Sequence, residues 1–137
     1  MGGVEEVRAL LDTNVFLWFV SGNRKLGRKT KRLLERADSE LWLSPISIWE
    51  CLILERDRRI RLEPNPLRWA RDVLAIHPFR EAPLNHEVAL QTRGIALVHE
   101  DPADRFLAAT ASVYDLTLVT GDERLLEGTG YSVMPNE

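Results

Sequence analysis

The stretch Ala9-Leu10-Leu11-Asp12-Thr13-Asn14-Val15-Phe16-Leu17-Trp18-Phe19-Val20 constrains this chain more than any other. Asp12 is the only charged residue between Arg8 and Arg24. A carboxylate among apolar side chains is costly to bury unless its charge is compensated. The pattern also changes at this residue. Residues 7–11 read as a short buried strand, and residues 15–20 as the start of a helix that Thr13 or Asn14 can cap. Asp12 then stands at the carboxyl end of a strand, where open α/β sheets bind their ligands.

Strands and helices alternate through the rest of the chain. Residues 1–6 read as a frayed start. Helices are expected over residues 27–37, 45–58, 66–75, 85–93, 103–114 and 123–127, and strands over 40–44, 79–84, 116–120 and 131–133. Pro83 limits the second of these strands, Pro45 suits a first helical turn, and Gly94 stops a helix. Residues 46–54 are apolar almost all round, so deep packing is expected of that helix. Residues 106–111, rich in alanine, allow close approach of a neighbour. This order predicts an α/β sandwich with a mainly parallel sheet and right-handed crossovers. The 137 residues suit one domain with a core of its own.

Three further carboxylates are as oddly placed as Asp12. Glu50 is the only charge within the apolar core of its helix, residues 46–54, Asp104 lies in the first turn of a buried helix, and Asp122 follows the strand that ends at Thr120. With parallel strands all four reach one end of the sheet. Gathered carboxylates raise one another's pKa, and a divalent cation removes the conflict. Magnesium prefers oxygen ligands and keeps several waters, leaving room for a substrate phosphate. Such a site suits phosphodiester cleavage. Asp12 and Asp104 would be the main ligands, Glu50 would hold the metal or its waters, and Asp122 would complete the shell. Thr13 and Asn14 would orient Asp12 through hydrogen bonds, and Thr120 would hold a metal-bound water or a phosphate oxygen.

Simpler roles remain open for each. Asp12 caps a helix, Asp122 makes a turn, Asp101 and Asp104 complement a helix dipole, or Glu50 pairs with Arg105. His77, His86 and His99 lack metal-ligand spacing and read as loop or surface residues. Cys51, the only cysteine, excludes an internal disulfide and a zinc cluster, and reads as a buried thiol.

The net charge of −3 is unevenly spread: seven basic residues fall within 24–36 and four more within 56–61, whereas residues 100–137 carry eight acids against Arg105 and Arg124. A basic strip that includes Arg24, Lys25, Arg28, Lys29, Arg56 and Arg59 is a candidate phosphate contact, or two solvated helix faces. No run approaches the roughly 20 apolar residues that span a bilayer, and the first residues lack a basic region followed by a long apolar segment. A cytoplasmic location is therefore expected.

The segments Leu11-Asp12-Thr13-Asn14, Ser47-Ile48-Trp49-Glu50, Asp101-Pro102-Ala103-Asp104-Arg105 and Thr117-Leu118-Val119-Thr120-Gly121-Asp122 resemble PIN-domain ribonucleases, among them the VapC toxins of bacterial and archaeal toxin–antitoxin pairs. The resemblance runs from Leu10 to Val133. It implies a central parallel sheet flanked by helices, Mg²⁺- or Mn²⁺-dependent endonuclease activity on RNA, and a homodimer. It also implies a small VapB-like antitoxin that wraps the toxin and blocks its site. The family's acids carry over to Asp12, Glu50, Asp104 and Asp122. Glu100 departs from the arginine that many relatives have in a His-Arg-Asp stretch.

Two other classes compete with a nuclease. A receiver-type signalling domain also gathers acids at strand ends, but it needs a lysine after a late strand, and every lysine here lies within residues 25–31. An inactive PIN-type module for RNA binding or assembly is the other, and the presence of all four acids counts against it.

Overall fold

The computed structural model describes residues 7–137, so the expected frayed start over residues 1–6 lies outside the described residues. Five strands form one sheet: β1 (Arg8–Leu11), β2 (Glu40–Leu43), β3 (Arg80–Glu81), β4 (Thr117–Thr120) and β5 (Ser132–Pro135). Their order is β3-β2-β1-β4-β5, and every pairing is parallel. The strand order reverses between β1 and β4, where Leu11 stands opposite Val119. The crevice beyond their carboxyl ends is the switch point at which such sheets bind ligands.

Each strand feeds both faces of the sheet by simple alternation. Ala9, Leu11, Leu41, Leu43 and Val119 enter one buried cluster, with Val15, Phe16, Leu34, Cys51 and Val73. Those partners come from α1 (Thr13–Ser21), α2 (Arg28–Glu35), α3 (Pro45–Arg56) and α4 (Pro66–Ile76). Leu10 and Leu118 enter a second cluster, with Leu107, Ala111 and Leu125 from α6 (Pro102–Val113) and α7 (Glu123–Glu127). Ala108 and Ala109 of α6 are fully buried against Val88 of α5 (His86–Gln91), the close packing expected of that alanine-rich run. The result is the expected three-layer α/β/α sandwich, with all five strands parallel.

The helix starts follow from short polar caps. Ser44, Asn65, Asn85, Asp101 and Asp122 accept bonds from the free amides of the turns that follow them. Gly22 ends α1 in the left-handed conformation, at φ 67°. The expected helix over residues 85–93 ends earlier, because its last turn tightens into a 3-10 helix at Thr92–Gly94.

Two expectations need correction. The cap of α1 is Asp12 itself, whose carboxylate accepts from Val15 N at 2.8 Å, not Thr13 or Asn14. And α3 is not deeply packed: only Ser47 and Cys51 are buried, while Trp49 is 54% exposed. It lies in an outer layer and turns one face to the sheet. Its remaining apolar side chains are left half covered.

Candidate metal centre

The carboxyl ends of β1 and β4 meet so closely that Asp12 N donates to Val119 O at 3.1 Å. Asp12 is 6% exposed and Thr120 fully buried, and the Thr120 hydroxyl donates to Asp12 Oδ2. The other oxygen, Oδ1, takes the cap bond from Val15. The capping role weighed for Asp12 is thus real, and it leaves lone pairs on both oxygens for a further ligand. Thr120 Oγ1 also accepts from Asp122 N at 3.0 Å, so one hydroxyl ties the two aspartates to a single strand end.

Asp12, Glu50, Asp104 and Asp122 line one cleft of about 530 Å³, together with Asp101, Arg59 and Arg124. The four acids singled out by sequence therefore do come to one place. Glu50 reaches it from the middle of α3, and Asp104 from the first turn of α6. Thr13 serves a different partner from the one expected: its hydroxyl donates to Glu50 and lies 3.2 Å from the Ser47 hydroxyl. Asn14 is exposed on the cleft wall. Arg105 does not pair with Glu50; it donates to the carbonyls of Thr92 and Ile95 at 3.1 and 2.8 Å.

The electrostatics follow from this crowding. Burial pushes the Asp12 carboxyl up to about 6, the bonds from Thr120 and Val15 oppose that rise, and the charges of Asp104 and Asp122 add to it. Glu50 and Asp104 are also raised, in each case chiefly by burial, against bonds from Thr13 and His99 respectively. Asp122 moves the other way, because Arg124 holds it: Nε lies 3.2 Å from Oδ1 and Nη2 lies 3.0 Å from Oδ2.

Two contributors were missed by sequence reasoning. His99, expected in a loop or at the surface, is only 10% exposed in its side chain, and its Nε2 lies 2.7 Å from Asp104 Oδ2. Arg124 is the cation nearest the acids. The spacings His99-x4-Asp104 and Asp122-x-Arg124 were both visible, but neither matches a helix-face or metal-ligand pattern. Of the basic strip, Arg59 alone among the six named residues lines the acidic cleft. Lys25 lines an adjoining groove that shares Asn14, Leu54 and Arg59 with it. Arg24 and Arg28 line a separate groove, Lys29 faces Glu137, and Arg56 pairs with Asp57.

The donor set can be tested against a divalent ion. Among the described residues no three His, Cys, Asp or Glu side chains are already gathered closely enough to enclose one. That excludes a closed cage. It suits magnesium or manganese bound through one or two carboxylates and several waters. Three carboxyls with raised pKa values line this cleft, and a cation that entered it would relieve their mutual repulsion. The residues present fit such an ion.

The sequence matches the family described as PIN domain over residues 9–129. It is 35% identical over 119 residues to Ribonuclease VapC22 of Mycobacterium tuberculosis, covering 85% of this chain and 88% of that protein. VapBC2 from Rickettsia felis, solved with a DNA fragment from its promoter, superposes with a TM-score of 0.69 at 13% identity, over 94% of this chain and 98% of that one. DNA-bound VapBC from Salmonella typhimurium superposes at 0.65 and 19%, over 94% and 98%. At those identities the structural likeness is one of fold.

Proposed function

The chain belongs to the PIN-domain family, and on that premise we propose that it is a metal-dependent endoribonuclease, the toxin of a toxin–antitoxin pair. One observation carries this reading: four carboxylates from four separate segments line a single cleft at the switch point of the sheet. The whole of residues 1–137 is read as one PIN domain.

Asp12 and Asp104 would hold a Mg²⁺ or Mn²⁺ ion directly. Glu50 would take the ion or one of its waters, and Asp122 would join once Arg124 releases it. Bound there, the ion supplies an activated water and positive charge for the leaving oxygen of a phosphodiester. The chain's own residues do the rest. Thr120 and the Val15 amide fix Asp12, and Thr13 fixes Glu50. Arg59 and Arg124 at the cleft wall offer guanidinium groups to phosphate oxygens. Purified protein is expected to cleave RNA with Mg²⁺ or Mn²⁺, to stop in chelator, and to lose cleavage in a folded Asp104→Asn variant. Cleavage that survives chelation, or is undiminished in that variant, overturns the reading. RNA binding without cleavage under any divalent ion would instead mark an inactive binding module.

The position of Arg59 makes the RNA contact specific. Arg59→Glu is expected to weaken RNA binding and to lower its logarithmic salt dependence by roughly 0.7 or more, the loss of one single-strand phosphate contact. Arg24→Glu, in a separate groove, is expected to do less. Filter binding between 50 and 200 mM salt decides it, and equal affinities at low salt rule Arg59 out.

The partners follow the same reading. A VapB-like antitoxin is proposed because the structural neighbours are VapBC complexes. A homodimer is proposed because Trp49, Leu67, Leu74 and Ile76 of α3 and α4 are largely exposed. Among the described residues no helix is long and apolar enough to cross a membrane; a cytoplasmic location is part of the proposal.

A further inference from the structure

His99 stands behind the acid cluster. It precedes α6 and does not line the cleft, whereas Asp104 does. The two side chains are 10% and 15% exposed, and the imidazole Nε2 lies 2.7 Å from Asp104 Oδ2. Among the described residues Asp104 Oδ1 has no hydrogen-bond partner of this kind. One oxygen is therefore held from the protein side, while the carboxylate as a whole still faces the cleft.

The second ring nitrogen gives the arrangement its meaning. Nδ1 is buried and has no hydrogen-bond partner among the described residues. A buried polar atom without a partner is unfavourable, and such exceptions in folded proteins ask for a cause. Taking the Asp104 carboxylate as the acceptor assigns the hydrogen to Nε2, and in the neutral ring of that tautomer Nδ1 is an acceptor. An apolar side chain of the same volume would fill this place without that penalty. What it would not supply is the bond to Asp104. The favourable charge-assisted bond and the unfavourable orphan atom largely offset each other, so little of the reason for a histidine here lies in fold stability.

We propose that His99 is a positioning residue for the metal: it clamps Asp104 Oδ2 and so presents the other carboxylate oxygen to the ion. A ligating carboxylate that is itself hydrogen-bonded binds metal better, because its orientation is set before the ion arrives. The clamp fixes the orientation of Asp104 and leaves Oδ1 clear of that bond. This inference rests on the reading of Asp104 as a metal ligand.

Direct Mn²⁺ binding, followed by titration calorimetry or by loss of the free-ion paramagnetic resonance signal, tests it without any RNA. His99→Ala is expected to weaken Mn²⁺ binding 10- to 100-fold. Its melting temperature in chelator is expected to stay within a few degrees of wild type. His99→Gln, whose amide can donate to Oδ2, is expected to recover part of the affinity. In the double variant with Asp104→Asn the His99→Ala change is expected to cost nothing further, since the histidine acts through that carboxylate. If the alanine variant does not fold, His99→Phe, which keeps the ring volume without a donor, is expected to show the same loss. Wild-type Mn²⁺ affinity in a folded His99→Ala or His99→Phe protein overturns the positioning role, as do fully additive losses in the double variant. Undiminished binding by Asp104→Asn alone overturns the metal-ligand reading beneath it, and the inference with it.

Discussion

Asp12→Asn is expected to make the metal-free protein more stable at neutral pH while removing its RNA cleavage. The stabilisation comes from burial. Asp12 is 6% exposed, and burial holds its folded-state carboxyl at about 6, above the usual 3.8. The folded protein therefore holds the proton more tightly than the unfolded chain. The stability that this proton contributes is fully present below about pH 4 and is lost as pH rises through about 6. A shift of this size corresponds to a loss on the order of 2 to 3 kcal/mol above pH 6. Asparagine keeps an oxygen for the Val15 amide and carries no charge to desolvate. Glu50 and Asp104 are shifted in the same direction, so the variant removes part of the slope and not all of it. Melting in chelator between pH 5 and 8 reads the effect. Wild type should lose stability across that range, the variant less so, and added Mn²⁺ should stabilise wild type far more than the variant. Cleavage should fall by at least ~100-fold, the upper end of what loss of a mere outer hydrogen-bond partner costs a metal site. A variant less stable than wild type at pH 7 without metal would contradict the burial account, whatever its activity.

The second large effect belongs to the core that holds Asp12 in place. Phe16 is fully buried in α1, one turn beyond the Asp12 cap. Its ring meets Trp69 of α4 edge-on at 5.9 Å and Phe79, just before β3, at 5.5 Å. Three separate segments are tied together through that one side chain. Phe16→Ala should cost about 3–5 kcal/mol, from lost transfer energy and the cavity left behind. Edge-to-face contacts of this kind add to area burial. Leu90→Ala, at a residue 68% exposed and outside the surface proposed for the dimer, should change stability by no more than about 0.5 kcal/mol. Urea unfolding in chelator compares the two. Equal effects would mean that the α1–α4 layer is not packed as described.

The layers, the parallel sheet and the meeting of the acids in one cleft were legible in the sequence because each rests on a local rule. Alternation in Ala9-Leu10-Leu11 sends one residue to each face of the sheet in turn, as the two core clusters show. Asp12 and Asp122 announced themselves by following buried strands. Contacts between distant residues left weaker traces. Nothing local says that Thr13 turns to Glu50 across 37 residues. The burial of His99 depends on how the loop before α6 folds back, which no periodicity records. The apolar surround of Glu50 read as depth, yet α3 lies in an outer layer; hydrophobicity all round a helix cannot distinguish a core from a face that awaits a partner. The basic strip was a property of sequence proximity, and folding divides it so that Arg59 sits at the acids while Arg24 and Arg28 sit elsewhere.

The pairing of Asp12 with Thr120 spans 108 residues. A ribosome that has released β1, β2 and β3 has made an aspartate with no hydroxyl to receive it and a sheet that lacks β4. Asp104 has not yet emerged, nor has Asp122. Every part of the cleft that lies on the far side of β1 is synthesised last, so a growing or prematurely ended chain carries Asp12 and Glu50 without Asp104 and Asp122. If this chain is an enzyme whose product is damage, its layout gives the cell an interval in which the protein exists and the activity does not.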